Sequence, residues 1–94
     1  MYYVYILANK PNGLIYVGST GNLAHRISQH KVGNGSKYTQ KYNIRTLVYF
    51  TDFNNIDSAR QFENKLKKWK RDWKIKLIEE ANPSWLDLSH YLND

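Results

Sequence analysis

A tight-turn sequence, Lys10-Pro11-Asn12-Gly13, constrains the fold of this chain more than any other feature. Proline at the second position and glycine at the fourth are typical of a β-turn. The segments on either side, Tyr2 to Ala8 and Leu14 to Gly18, are apolar and rich in residues that favour strands. The sequence therefore predicts an antiparallel β-hairpin.

The register of this hairpin places two tyrosines on one face of the sheet. With the second and third turn residues at the centre of the turn, Tyr16 lies opposite Leu7 and Gly18 lies opposite Tyr5. Side chains alternate between the faces with a period of two. Unless a bulge interrupts the pair, Tyr5 and Tyr16 therefore project from the same face.

Helices and a third strand are expected after the hairpin. Asn22 is suited to cap a helix from Leu23 to about Val32, and Ser36 to cap a short turn or helix through Tyr42. The segment from Arg45 to Phe53 predicts the third strand, and its apolar run suggests burial on both faces. A chain of 94 residues is expected to form a single domain over residues 1–94.

A long amphipathic stretch is expected to begin at Asp57 or Ser58 and to reach about Glu80, with a kink near residues 70–72 left open. Its spacing indicates a seam of the core, although its two tryptophans could also form a platform for stacked bases. Asn82 is a candidate cap for a last short helix through Tyr91. The residues of the apolar stripe are Ala59, Phe62, Leu66, Trp69, Trp73 and Leu77.

The composition excludes several classes of protein. The chain has no cysteine, so disulfide frameworks, zinc fingers, iron–sulfur clusters and cysteine nucleophiles are all excluded. Its longest apolar runs are a few residues, which is too short to span a membrane. No basic segment followed by an apolar stretch opens the sequence, so we expect no export signal and a cytoplasmic location.

Positive charge is concentrated in most of the chain and absent from its last part. Residues 1–78 hold all 14 basic residues and four acids, whereas residues 79–94 hold four acids and no base. Such a surface attracts polyanions. Nucleic acid is the favoured partner; a plain lysine-rich surface and an anionic membrane are the alternatives.

Two polar residues fall on or beside the apolar face of the helix that begins at Leu23. Arg26 and His30 are four residues apart and are therefore neighbours on that face. An arginine turned toward the protein body is costly unless an anionic group meets it. Arg26 is therefore either part of a buried structural pair or the residue that binds a phosphate group.

Glu63 is an acid among lysines, at the border of the apolar stripe. On spacing alone it is a surface partner of Lys67. A single carboxylate can also hold Mg²⁺, because this ion keeps most of its water and takes further oxygen ligands from phosphate groups.

These residues resemble a known signature. Tyr3-Val4-Tyr5, a gap of ten residues and then Tyr16-Val17-Gly18 are similar to the motif of the GIY-YIG nuclease superfamily, with Tyr3 in place of the first glycine. Arg26, His30 and Glu63 follow where that family has an arginine, a histidine and a glutamate. The basic segment at residues 67–71 and the following Asn82-Pro83 are similar to the short stand-alone bacterial members.

The resemblance implies an α+β fold, a small three-stranded antiparallel sheet flanked by helices, and hydrolysis of a DNA phosphodiester. It implies that Glu63 holds one divalent ion, Mg²⁺ or Mn²⁺, and that Arg26 binds the non-bridging oxygens. Tyr5 or Tyr16 would help to activate water, with His30 aiding proton transfer. Which of the two tyrosines is the base stays open.

The same resemblance implies contacts to nucleic acid. Gly18 would let the strand end approach the substrate closely, and Lys37 and Tyr38 are candidates for contacts to the DNA backbone. Asn82 is mapped to the terminal asparagine of the family. DNA is the expected partner and RNA is left open, as is the oligomeric state. The alternatives are an inactive nucleic-acid-binding module of the same fold and a basic module that binds a protein.

Overall fold

The computed structural model describes residues 1–92, which form a three-stranded antiparallel sheet with helices on both faces. This confirms the predicted α+β architecture. The first strand is central, because the strand order is β2-β1-β3. The strands are β1 (Tyr2–Ala8), β2 (Ile15–Thr20) and β3 (Thr46–Phe53); the helices are α1 (Leu23–Lys31), α2 (Lys37–Lys41), α3 (Ile56–Lys68) and α4 (Arg71–Ala81), followed by a 3₁₀ turn at Leu88–Leu92.

The hairpin has the predicted register. Tyr5 pairs with Gly18 and Leu7 pairs with Tyr16, although β2 extends two residues beyond its predicted end. The Gly13 amide donates to the Lys10 carbonyl at 3.0 Å, which closes the turn. The turn therefore sets which side chains of β2 face which side of the sheet.

The two faces of the sheet carry two separate cores. Val4, Ile6 and Ala8 of β1 face α3, α4 and the buried Trp85. Tyr5 and Leu7 face the opposite way and pack with α1 and with residues around the start of β3. The sheet is therefore covered on both sides, which explains why its central strand is apolar at nearly every position.

A β-bulge in β3 is supported by a buried asparagine. The register between β1 and β3 skips Val48, so this residue has no partner on β1. The Asn82 Nδ2 atom donates to the Val48 carbonyl at 3.1 Å and to the Leu86 carbonyl at 2.9 Å. Its Oδ1 atom accepts from the Leu86 amide. Asn82 therefore ties the end of α4 to β3.

The predicted long helix is two helices, and its apolar stripe is not continuous. Trp69 and Lys70 adopt extended backbone conformations between α3 and α4. Arg71 then anchors α4 to the hairpin turn, because its guanidinium donates to the Asn12 carbonyl at 2.8 Å. The prediction that Trp73 is buried is wrong, since the break rotates it outward and leaves 57% of its surface exposed.

Helix starts are set by the expected kind of cap, but not always at the expected residue. Asn22 caps α1 and Ser36 caps α2 as predicted. Asn55 caps α3, one residue before the helix begins at Ile56, and was missed. The short helix predicted from Asn82 to Tyr91 is wrong in extent. In the described residues of that segment, the helical part is the 3₁₀ turn at Leu88–Leu92.

Within residues 1–92, every helix is too short or too polar to cross a lipid bilayer.

Candidate active site

Three rings from separate elements meet on the α1 face of the sheet. Tyr5 lies on the central strand, Tyr16 on the edge strand β2 and His30 near the end of α1. The ring centroids of Tyr5 and Tyr16 are 6.4 Å apart, and those of Tyr16 and His30 are 5.8 Å apart. The hairpin register and the helix spacing, which are both local properties of the sequence, bring them together.

His30 is a buried and neutral histidine. Only 1% of its surface is exposed, and its Nε2 atom lies 3.2 Å from the Tyr5 hydroxyl. Burial, together with the positive charge of Arg26, lowers the pKa of His30 to about 4 from an ordinary value of 6.5. At neutral pH the ring therefore has one nitrogen that donates and one that accepts.

The Tyr5 phenol is held in its protonated form. Burial raises its pKa, and the negative charges of ionised Tyr16 and Glu63 would raise it further. A hydrogen bond with Arg26 and the charge of that guanidinium act in the opposite direction but do not outweigh burial. At neutral pH the phenol is therefore protonated, and only further positive charge close to it would favour its ionised form.

Arg26 lies beside the two tyrosines. It is half-buried, its Nη1 atom donates to the Gln29 side-chain oxygen at 3.1 Å, and its hydrogen bond with Tyr5 raises its pKa. Two ion pairs occur in residues 1–92, and neither includes Arg26. The guanidinium is therefore partnered by neutral groups, which leaves its charge available to an anion.

Glu63 reaches the sheet from α3. Its Oε1 atom accepts from the Ser19 hydroxyl at 2.6 Å, and its Oε2 atom pairs with Lys67 at 2.8 Å. Burial opposes ionisation of Glu63, but hydrogen bonds from Lys67 and Ser19 and the charges of Lys67 and Arg60 together lower its pKa. The carboxylate is therefore ionised, and its side chain is still 16% exposed.

The site straddles the edge strand β2. Gly18 faces the tyrosine side of the sheet, and the next residue, Ser19, faces α3 and contacts Glu63. The carboxylate is near enough for its charge to raise the pKa of Tyr5. Glu63 thus approaches the four other predicted catalytic residues from across the strand, while its direct contacts are Ser19 and Lys67.

The donor set around Glu63 fits a hydrated magnesium ion and not a protein-enclosed metal. No group of three or more histidine, cysteine or acidic side chains converges in the described part of the chain. Magnesium needs only one or two carboxylates when water and substrate phosphates supply the other ligands. Glu63 is ionised and partly exposed, so it can provide that single ligand once Lys67 gives up one carboxylate oxygen.

Gly18 is required by the two tyrosines. A Cβ atom at this position would lie 2.6 Å from the Tyr5 hydroxyl oxygen and 3.1 Å from the Tyr16 Cε2 atom. The first distance is too short for non-bonded atoms, and the second would require a small shift of the Tyr16 ring. The absence of a side chain at Gly18 therefore lets the two rings pack over the strand, a reason that the sequence did not reveal.

Two half-exposed tyrosines lie beside this site, one on the short helix α2 and one at its C-terminal cap. Tyr38 is 42% exposed, and its ring centroid lies 6.5 Å from that of Tyr16. Tyr42, which sequence reasoning missed, follows at 5.2 Å from Tyr38, with the Lys41 ammonium group 5.3 Å from its ring centroid. Lys37 is exposed on the same helix.

Asn82 lies apart from this surface. It is 4% exposed, and both its amide nitrogen and its amide oxygen are bonded to backbone groups of β3 and the following loop. These contacts give Asn82 a structural role.

Comparison with family models gives a match to the GIY-YIG catalytic domain over residues 1–76. This segment contains Tyr5, Tyr16, Arg26, His30 and Glu63.

The chain is also similar to several whole proteins. A UPF0213 protein of Clostridium perfringens is 45% identical over 82 residues, which cover 87% of each chain. A UPF0213 protein of Oceanobacillus iheyensis is 41% identical over 78 residues, covering 83% of this chain and 90% of the relative. The solution NMR structure of a UPF0213 protein from Bacillus halodurans superimposes with a TM-score of 0.58 at 31% identity, covering 93% of each chain.

Proposed function

Because this chain belongs to the GIY-YIG nuclease family, we propose that it is a divalent-metal-dependent endonuclease that hydrolyses phosphodiester bonds of DNA. The observation that carries the proposal is the Arg26 guanidinium, which lies beside Tyr5 and Tyr16 and has no acidic partner among the described residues. A charged donor of this kind, beside groups that can move a proton, suits a scissile phosphate.

Arg26 is the residue that we assign to the phosphate. Its guanidinium donates to the non-bridging oxygens and stabilises the negative charge that grows on them during attack. The hydrogen bond to Gln29 holds the side chain beside Tyr5, so part of its conformational freedom is already lost before substrate binds.

The two tyrosines and His30 are assigned to the proton of the attacking water. One phenol, Tyr5 or Tyr16, accepts that proton after losing its own. Burial raises the pKa of Tyr5, and the charge of Arg26 offsets part of that rise. His30 is neutral and hydrogen-bonded to Tyr5, so it is the nearest nitrogen base to that phenol.

Glu63 is the residue that would hold the divalent ion. Nucleases of this family typically use such ions. A bound Mg²⁺ or Mn²⁺ supplies positive charge against the leaving 3′ oxygen and the phosphate. The Ser19 hydroxyl fixes one carboxylate oxygen in place, and the exposed edge of Glu63 faces solvent.

DNA is the substrate that we propose. Lys37 and Tyr38 are on the exposed helix α2, next to Tyr16, and they extend the site along the surface. A lysine there meets backbone phosphates, and a half-exposed aromatic ring can stack on a base or a sugar. The sequence has no recognisable base-reading motif such as a helix-turn-helix, so we expect selection by structure or weak sequence preference.

One observation favours a second candidate, an inactive module that binds nucleic acid. Both carboxylate oxygens of Glu63 are already bonded, one to Ser19 and one to Lys67. If Lys67 stayed in place, it would compete with the metal for one oxygen. Binding without cleavage would then be the result.

Digestion of a panel of nucleic acids tests the proposal. The panel holds single-stranded, nicked, flapped, branched and linear duplex DNA, and RNA, each incubated with Mg²⁺, with Mn²⁺ or with EDTA. We expect cleavage of at least one DNA with either metal and none with EDTA. Binding without cleavage under every condition would favour the inactive module, and weak binding with a shallow salt dependence would favour a protein partner.

A further inference from the structure

The two ring nitrogens of His30 have different partners. Nε2 lies 3.2 Å from the Tyr5 hydroxyl, and Nδ1 lies 3.3 Å from the Thr39 hydroxyl. A neutral imidazole carries its proton on one nitrogen and accepts with the other. Whether Nε2 can accept from Tyr5 is therefore decided at the Nδ1 end of the ring.

The Thr39 hydroxyl donates its own proton to the backbone carbonyl of Ser36 and not to His30. Its oxygen lies 3.0 Å from the Ser36 carbonyl oxygen, which can only accept. The hydrogen bond between these two oxygens is therefore donated by the threonine. The Ser36 hydroxyl in turn donates to the Thr39 oxygen at 3.2 Å.

With its single proton directed at Ser36, the Thr39 oxygen can only accept from His30. The ring proton is then on Nδ1, and Nε2 is left as an acceptor that faces the Tyr5 phenol. The carbonyl at the start of α2 thus sets the direction of every hydrogen bond in the chain Tyr5–His30–Thr39–Ser36.

The loop before α2 is shaped to bring these groups together. A Cβ atom at Gly35 would lie 2.2 Å from the His30 Nδ1 atom and 2.8 Å from the Thr39 hydroxyl oxygen. Glycine at this position lets the loop close over the ring. Thr39 itself is buried, with 2% of its surface exposed, so water does not replace its hydroxyl readily.

We propose that Thr39 is a positioning residue that holds His30 in the tautomer with the proton on Nδ1, so that Nε2 accepts from Tyr5. The tautomer stands on the hydrogen bonds alone. Its consequence for catalysis rests on the proposed nuclease function, because His30 can take a proton from Tyr5 only with a bare Nε2. Loss of the Thr39 hydroxyl removes the partner that favours this tautomer.

Nuclear magnetic resonance of the full chain, with nitrogen-15 in its histidines, tests the tautomer directly. Long-range proton–nitrogen correlations at neutral pH distinguish a protonated ring nitrogen from a bare one. We expect Nδ1 protonated and Nε2 bare in the wild type. Protonation on Nε2 would overturn the proposal, whatever the variants show.

Two variants then test the role of Thr39. Thr39→Val keeps the size of the side chain and removes the hydroxyl, and we expect a mixture of tautomers. Thr39→Ser keeps the hydroxyl, and we expect the wild-type pattern to return. An unchanged His30 spectrum in a folded Thr39→Val protein would contradict the role of Thr39. If Thr39→Val does not fold, Thr39→Ala is measured in its place. A folded Thr39→Ala protein should lose the wild-type protonation of the His30 ring nitrogens, and an unchanged spectrum would contradict the role of Thr39.

An activity measurement separates this proposal from the proposed function. If the wild type cleaves DNA, Thr39→Val should lower the turnover rate about tenfold to a hundredfold, the range found when the hydrogen-bond partner of a metal-bound histidine is removed. DNA binding should be unchanged, and Thr39→Ser should restore the rate. An unchanged rate would remove the catalytic consequence. If the wild type cleaves nothing in the panel, the nuclease proposal fails, while the tautomer is still decided by the spectra.

Discussion

The pH dependence of folding stability is a direct consequence of the buried His30. Its pKa is about 4 in the folded protein and about 6.5 in an exposed chain. Between these values the unfolded chain binds a proton that the folded protein does not. The resulting stabilisation is fully present above about pH 6.5 and is lost as the pH falls toward about 4.

The size of this effect follows from the pKa of His30 in the two states. Between about pH 7 and about pH 5, the free energy of unfolding should fall by about 2 kcal/mol from His30 alone. Below the pKa of His30 in the folded protein, the total loss in the free energy of unfolding reaches about 3 kcal/mol. Keeping the pH at or above about 5 leaves most carboxylates ionised in both states, so their contribution is small.

Urea unfolding at the two pH values measures the effect. The wild type is compared with His30→Gln and with His25→Gln, which changes an exposed histidine of the same helix. We expect His30→Gln to be less stable at neutral pH, by about 1 to 3 kcal/mol, because it loses buried hydrogen bonds and packing. His30→Gln should also lose most of the pH dependence of the free energy of unfolding, whereas His25→Gln should keep that dependence.

The same pH dependence in His30→Gln as in the wild type would refute this reasoning. A nuclear magnetic resonance titration of the wild type gives an independent result, which decides the matter if His30→Gln does not fold. It should show that the ring of His30 stays neutral at about pH 5, where a histidine of ordinary pKa is mostly protonated.

Three further substitutions test the site. Gly18→Ala should lower stability by about 1 to 3 kcal/mol in urea unfolding, because its methyl group displaces Tyr5; no change would show that the rings move freely. Arg26→Ala should lower the cleavage rate about a hundredfold to a thousandfold with saturating DNA, since a charged contact to the phosphate is lost; a loss below about tenfold would indicate a structural role. Tyr38→Ala should weaken DNA binding by about 1 to 3 kcal/mol in fluorescence anisotropy, and Tyr38→Phe should not; equal losses would exclude stacking.

The local parts of the fold could be predicted from the sequence, because each depends on neighbouring residues. The turn chemistry set the hairpin register, and the register put Tyr5 and Tyr16 on one face. Helical spacing put Arg26 and His30 beside them. The caps at Asn22 and Ser36 follow the ordinary preferences of helix starts.

The remaining features depend on contacts between distant segments. The break after α3 occurs at Trp69 and Lys70, neither of which is a helix breaker, and α4 is anchored by Arg71 on the hairpin turn. The sequence leaves a kink near residues 70–72 open, but no periodicity in it decides whether the helix breaks there.

The hydrogen bonds of the site could not be predicted from the sequence, because they too join distant segments. The bond between Ser19 and Glu63 joins residues 44 positions apart, and the one between Thr39 and His30 depends on the path of a glycine-containing loop. Spacing identified Lys67 as a partner of Glu63, because that pair is local. It could not show that the carboxylate also reaches the sheet edge beside the tyrosines.

Single-turnover cleavage by a Glu63→Gln protein is the most direct test of the proposed metal-dependent hydrolysis. The substitution keeps the size of the side chain and its contact with Ser19 while removing the charge that would hold the ion. We expect DNA binding close to that of the wild type, and no detectable cleavage with Mg²⁺ or Mn²⁺. Cleavage at the wild-type rate would contradict the role of Glu63 and, with it, the proposed mechanism.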